Sequence, residues 1–353
     1  YKNKHSAYME NKRTEIYELV EFGLVERLVS GLENVNRYTV KGPGDDAAVI
    51  SGGPGKYMLL SSDMLLEGIN FDLIYFPFKH LGYKAVVVGI GDILAMNGMP
   101  EQITVSLEIS AKISVEQLDE LYSGIKAACE DYKVDLAGGD TTASLNGLTI
   151  AVSVLGSVDE DKISYRSGAQ QNDLICITGD LGAAYMGLHL LEREKRAYSG
   201  NDTPQPKFEG YEYILRRQLK PTARIDIVDA LREADIVPTS MIDLSDGLAS
   251  DMLQICRSSS CGARIYLERI PIARYTSEMA KELNADPVVA ALNGGDDHEL
   301  LFTVPLAMQE KVARLGGIEI IGHITPAGTG AMLVTPDGSE VALTAPGFNK
   351  QKK

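Results

Sequence analysis

No apolar run in this 353-residue sequence approaches the roughly 18 residues of a membrane-crossing helix, and the opening stretch YKNKHSAYMENKRTE has no apolar signal core. Cysteine is scarce. Cys129, Cys176, Cys256 and Cys261 form no C-x-x-C pair and none stands near a histidine at zinc-finger spacing, so buried free thiols in a reducing compartment are the reading. Basic residues are outnumbered: 34 Lys plus Arg against 49 Asp plus Glu give a formal charge of −15, which argues against a polyanion such as DNA as the main partner. Nucleotide signatures are missing too. There is no G-x-x-x-x-G-K-[ST], no protein-kinase set, no convincing G-x-G-x-x-G and no H-E-x-x-H, and GGPGKY (52–57) reads as a hairpin turn. The expectation is a cytoplasmic enzyme or binding protein with no nucleic-acid or membrane partner.

What is present supports a packed α/β (α+β) protein. The chain is longer than one ordinary core, and 44% hydrophobic content is enough to fill two. Apolar spacing predicts helices over 14–29, 81–98, 114–132, 181–194 and 222–234, and strands over 57–61, 103–109, 148–156, 174–179, 299–305, 318–325 and 331–335. The polar stretch 157–173 has few apolar anchors and separates two expected domains, 1–158 and 159–353. Helices alternate with strands, and no repeat-length period is visible.

The informative residues are acids at element ends or inside apolar runs. GPGDDAAV places Asp45 and Asp46 after turn glycines, and LLSSDMLLEG places Asp63 after a strand, beside Ser61 and Ser62. Asp63 has two readings, a helix cap or a metal ligand. Asp92 lies in AVVVGIGDILAM, which has almost no other polar side chain, so the carboxylate needs a cation, a metal or strong donors; capping a neighbouring element is the equal alternative. LAGGDTT presents Gly139 and Asp140 after a short apolar strand, in what reads as turn chemistry. MIDLSDGLASDML puts Asp243, Ser245 and Asp246 at a strand-to-helix junction, and GGDDHELLF puts Asp296 and Asp297 before a strand. EF-hand spacing fails, because Gly247 stands where a fifth-position oxygen ligand belongs. Hard oxygen donors repeated in this way suit Mg²⁺ shared between carboxylates and substrate phosphates.

Taken in order, GPGDDAAV, SSDMLLEGINF, GYKAVVVGIGDILAMNGMP, LAGGDTT, YRSGA, IDLSDGLASD and GGDDHELLF resemble the thiamine-monophosphate kinase family, from about residue 14 to the C-terminal region. The superfamily's fold is named after aminoimidazole ribonucleotide synthetase. The resemblance implies a mixed N-terminal sheet flanked by helices, a second α/β domain, a homodimer formed through the N-terminal domains, and an active site in the cleft between domains. It also implies in-line transfer of the γ-phosphoryl group of ATP to thiamine monophosphate with several Mg²⁺ ions and no side chain acting as general base. Matched motif by motif, Asp46, Ser61, Ser62, Asp63, Asp92, Asp140, Asp243 and Asp246 are the implied metal ligands. Gly139, Asp140, Arg166 and Ser245 are implied ATP contacts, with Tyr122 at the adenine end; a loop salt bridge for Arg166 and plain helix packing for Tyr122 stand beside these roles. Asn70, Asp296 and Phe348 are implied on the substrate side. Asn70 replaces the His usual in the family and so cannot carry a proton charge there.

Two kinds of rival remain. Sister enzymes share the fold: selenophosphate synthetase, aminoimidazole ribonucleotide synthetase and a hydrogenase-maturation dehydratase. The first carries a reactive cysteine in a glycine-rich N-terminal segment and the last a C-terminal one, and no cysteine sits in either place here. SSDMLLEG and LAGGDTT fit the thiamine enzyme better than the purine-pathway synthetase. A non-catalytic acidic metal-binding module would bind cations without turning over ATP.

Overall fold

The computed structural model describes residues 21–197 and 208–345. The chain divides into two units, 1–33 with 345–353, and 34–344. The first contains helix α1 (Glu21–Val29). In the second, the chain runs through β1 (Thr39–Lys41), β2 (Ala48–Ser51), β3 (Lys56–Leu66), α2 (Phe78–Leu94), β4 (Met99–Ser110), α3 (Val115–Tyr132), β5 (Asp135–Ser144) and β6 (Leu148–Asp159). It continues with β7 (Leu174–Thr178), α4 (Ala183–Ala197), α5 (Glu212–Leu219), α6 (Ile225–Glu233), β8 (Ser240–Leu244), α7 (Leu248–Ser259) and β9 (Gly262–Tyr266). The last elements are α8 (Arg274–Glu282), α9 (Pro287–Asn293), β10 (Glu299–Val304), α10 (Gln309–Ala313), β11 (Ile318–Thr325), β12 (Ala331–Val334) and β13 (Glu340–Ala342).

Two mixed sheets result. The first has the order β1-β2-β3-β6-β4-β5, and the second β13-β12-β9-β11-β7-β10-β8. In the first, only the β4–β5 pair is parallel, and α3 makes the crossover. One apolar cluster runs from this sheet and α2 to residues of α6, β7, β8 and β10, including Val228, Cys176, Met241 and Phe302. The two sheets are therefore joined by a common core. The other face of the second sheet has its own cluster, with Ile177, Ile242 and Leu301.

α2 lies at the centre. Its sequence is apolar over most of its circumference, as a helix largely enclosed by its neighbours requires, and Leu81, Val86, Val87, Ile90 and Ile93 are fully buried. Gly82 lets α3 come close, since a Cβ there would stand 1.9 Å from the Leu121 carbonyl oxygen. The helix predicted over 81–98 ends at Leu94, because β4 begins at Met99.

Two local expectations are corrected. Asp63 does not cap a helix: β3 continues through it to Leu66. GGDTT is not a turn but the middle of β5, an edge strand exposed along almost its whole length, so its composition carries no strand signal. Gly139 is required there by close approach, as a Cβ would meet the Val105 carbonyl oxygen at 1.9 Å.

Candidate active site

Strand alternation decides which side chains of β3 reach the site. Ser61 is buried, and its hydroxyl points to the Gly89 carbonyl oxygen of α2 at 3.5 Å. Asp63 shares that face. Ser62 points the other way, where its hydroxyl pairs with that of Ser153 at 3.1 Å. Its side chain is thus not brought to the acids, and only its backbone lies between Ser61 and Asp63.

Asp46, Asp92 and Asp243 each offer an oxygen within 4.8 Å of the others, from the β1–β2 loop, the last two turns of α2 and the end of β8. Burial raises the Asp92 and Asp243 pKa values well above the ordinary carboxylate value. For Asp92 the charges of Asp63, Asp243 and Asp46 add to that rise. Asp63 faces Asp92, its value is likewise raised by burial, and its Oδ2 is buried without a hydrogen-bond partner. Four acids converging with an oxygen left unsatisfied fit a hard dication, whose oxygen ligands would come from both sheets.

Arg166 supplies one positive charge. Its Nε donates to Asp46 Oδ2 at 3.2 Å and its Nη2 to Asp46 Oδ1 at 2.7 Å, a fork that partly offsets the burial of this carboxylate. Asp45 turns to other partners: it accepts from Lys41 Nζ at 2.5 Å and from the Arg166 backbone N–H at 2.9 Å. That pins GPGDD to YRSGA, which α7 holds from the other side through Ser259.

The remaining residues fall into separate groups. Ser245 and Asp246 form the turn between β8 and α7, with Ser245 exposed. Gly139 and Asp140 line an open pocket of about 490 Å³ together with Tyr122 of α3. Asp140 is exposed and accepts from the Thr141 N–H, apart from the three-acid group. Register ties this pocket to the acids, because Asp63 pairs with Val152, Val152 with Val105, and Val105 with Gly139. Three strand spacings separate the two ends, about 14 Å. Asn70 closes a local turn by accepting from the Leu66 N–H at 3.0 Å. Phe348 lies outside the described residues.

Several acids and bases of this region carried no role in the sequence reading. Asp251 is 1% exposed and accepts from the Gly247 N–H at the start of α7. Asp297 accepts from the Gly182 N–H at 3.1 Å, and burial pushes it up to about 8 against the opposing charge of Arg217. His298 stands 3.5 Å from Asp296. Lys84 pairs with Asp296. Asp251 was visible as a charge in an apolar run, the signal that singled out Asp92.

Residues 44–158 match the family model of the AIR synthase related protein N-terminal domain, and 170–335 that of the C-terminal domain. The thiamine-monophosphate kinase of Aquifex aeolicus (strain VF5) is 32% identical over 289 residues, covering 82% of this chain and 87% of the relative. That of Bacillus subtilis (strain 168) is 31% identical over 317 residues, covering 88% and 93%. Among solved structures, one described as AaThiL complexed with AMPPCP and TMP superposes with a TM-score of 0.79 at 30% identity, covering 94% of this chain and 97% of the other. Hydrogenase maturation protein HypE in complex with ATP, at 19% identity and a TM-score of 0.66 over 92% and 97% of the two chains, shares the fold. With matching models over both sheets and relatives matched over most of their length, the chain belongs to the thiamine-monophosphate kinase family of AIR synthase related proteins.

Proposed function

We propose that this chain transfers the γ-phosphoryl group of ATP to thiamine monophosphate, giving thiamine diphosphate and ADP by direct in-line attack. The observation that carries the reading is the convergence of Asp46, Asp92 and Asp243 at one point, in a chain related along its length to enzymes of that name. Two anionic reactants cannot approach a nest of buried carboxylates unaided. Asp46, Asp63, Asp92 and Asp243 would hold Mg²⁺, with Ser61, the backbone at Ser62, Asp140 and Asp246 completing the ligand sets of several ions. When bound, Mg²⁺ supplies the positive charge that draws the phosphates together and neutralises them during transfer.

The chain's own groups do the rest. Tyr122, Gly139 and Asp140 form the pocket for the nucleoside end of ATP, and Ser245 and Arg166 border its phosphates. Asp296 and Asn70 flank the acceptor, and Phe348 is assigned to the thiamine rings from the motif alone. Asn70 donates a hydrogen bond but brings no charge, so the cations at the site carry the acceptor phosphate. No general base is needed, since the attacking phosphate oxygen is already an anion; positioning and charge neutralisation are the catalysis. We also propose a homodimer through the first sheet, where Leu60, Met64 and Leu66 of β3 and Leu136 of β5 are exposed.

The test is product formation. Purified protein with ATP, Mg²⁺ and thiamine monophosphate is expected to yield thiamine diphosphate on chromatography, and none from folded protein at saturating substrates defeats the reading. ATP is expected to raise the melting temperature only when Mg²⁺ is present; a metal-binding module would respond to the cation alone. Size-exclusion chromatography with light scattering reads the dimer.

A further inference from the structure

α2 buries a second charge two turns before Asp92. Lys84 is 1% exposed and heads the largest fully buried side chains of the described residues. Its ammonium donates to Asp296 Oδ2 at 2.8 Å and to the Gln218 carbonyl oxygen at 3.2 Å, and it lies 5.7 Å from the centre of the Phe76 ring. Stability alone does not explain this residue. Desolvating an ammonium costs several kcal/mol, and an apolar side chain of similar volume commonly serves a core as well as a buried ion pair does.

The partner is unlike Lys84. The Asp296 side chain is 36% exposed, and its other oxygen, Oδ1, lies 3.5 Å from His298 Nε2. Burial alone would raise its pKa, but Lys84 and His298 outweigh that and keep the carboxylate ionised. The backbone is equally constrained. Asp296 and His298 both hold left-handed conformations, at φ of 63° and 52°, between bonds from the Asp296 N–H to the Ser245 carbonyl oxygen and from the His298 N–H to the Leu244 carbonyl oxygen. The intervening Asp297 turns into the second sheet to take the Gly182 N–H. This loop is therefore strapped to the β8–α7 turn that carries Ser245 and Asp246, while Lys84 ties it to the helix that carries Asp92.

We infer that Lys84 is a positioning residue for the acceptor: it fixes the part-exposed Asp296 carboxylate to receive the cationic thiamine moiety. The inference rests on the kinase reading proposed above. Thiamine carries a permanently charged thiazolium ring and an exocyclic amine, and a fixed carboxylate complements both. Lys84 has no surface with which to touch a ligand, so its effect passes through Asp296. A lysine present only for folding would change stability and leave substrate recognition alone.

Steady-state kinetics on the full chain separate these roles, with melting curves taken in parallel. Lys84→Met is expected to raise KM for thiamine monophosphate about 10- to 100-fold, the size of a lost charged hydrogen bond, and to leave KM for ATP unchanged. Lys84→Arg is expected to recover most of the loss, because the charge is retained. Asp296→Asn should raise KM for thiamine monophosphate to a similar extent. Adding Lys84→Met to Asp296→Asn should then change it no further, as two groups acting through one contact require. That double variant leaves no stranded buried charge, so it carries the test if Lys84→Met alone does not fold. An unchanged KM for thiamine monophosphate in folded Lys84→Met, a parallel rise for both substrates, or additive effects in the double variant overturns the positioning role. Failure of the unmutated chain to make thiamine diphosphate would instead remove the reading beneath it.

Discussion

At the scale of single residues, the acids of the site are held against their own repulsion. Asp92 is the extreme case, surrounded by Asp63, Asp243 and Asp46. Asp92→Asn relieves that repulsion, so in chelator its melting temperature is expected to equal or exceed that of the parent chain, while turnover falls at least ~100-fold. Calorimetry and the product assay check both halves. Asp297 gives a pH signature. Its folded pKa, about 8, lies above the unfolded value near 3.8, so across that window the folded state keeps a proton that the unfolded state has released. Stability therefore declines as pH rises from about 4 to 8, and Asp297→Asn should make the decline between pH 5 and 8 shallower in thermal melts. Asp92 was legible in the sequence because a carboxylate in an apolar helix has few innocent explanations. Lys84 sits in the same run but carries no such signal, since a lysine stem ordinarily lies along apolar surface with its ammonium in water. The bond from the Arg166 backbone to Asp45 was not legible at all, because the fold brings the two together from 121 residues apart.

At the scale of elements, α2 decides the architecture. Its crossing with α3 depends on Gly82, and Gly82→Ala places a methyl against backbone that has no rotamer to yield. The expected cost is about 3 kcal/mol, at the upper end of overpacking effects, and denaturant titration reads it as a lower midpoint at unchanged slope. Helices α2 and α3 were legible from apolar spacing, and buried strands such as β6 and β10 from their runs of branched residues. Of β5 only the short apolar start was, because the exposed segment of glycine, aspartate and threonine that follows satisfies neither periodicity. Its strand character comes from hydrogen bonds to β4, which sequence spacing does not encode. Ser62 shows the reverse case: once β3 extends to Leu66, alternation alone separates its hydroxyl from Asp63.

At the scale of the whole molecule, the common core makes the two sheets one mechanical body despite two family domains. Chemical unfolding of the chain is expected to be a single transition, with far-ultraviolet circular dichroism and tyrosine fluorescence coinciding; separated curves would show independent domains. The polar stretch 157–173 marks the passage between sheets but not a mechanical break, because Ser164 and the Arg166 backbone are bonded to both sides of it. The row Asp63, Val152, Val105, Gly139 has one more implication. It is a ruler made of backbone. On the proposed reading, the distance from nucleoside to reacting phosphate is counted in strands, so selection for a triphosphate over shorter or longer chains resides in the number of strands between the two ends. Side-chain changes along the row would leave that gauge intact, because backbone hydrogen bonds alone set the spacing between strands.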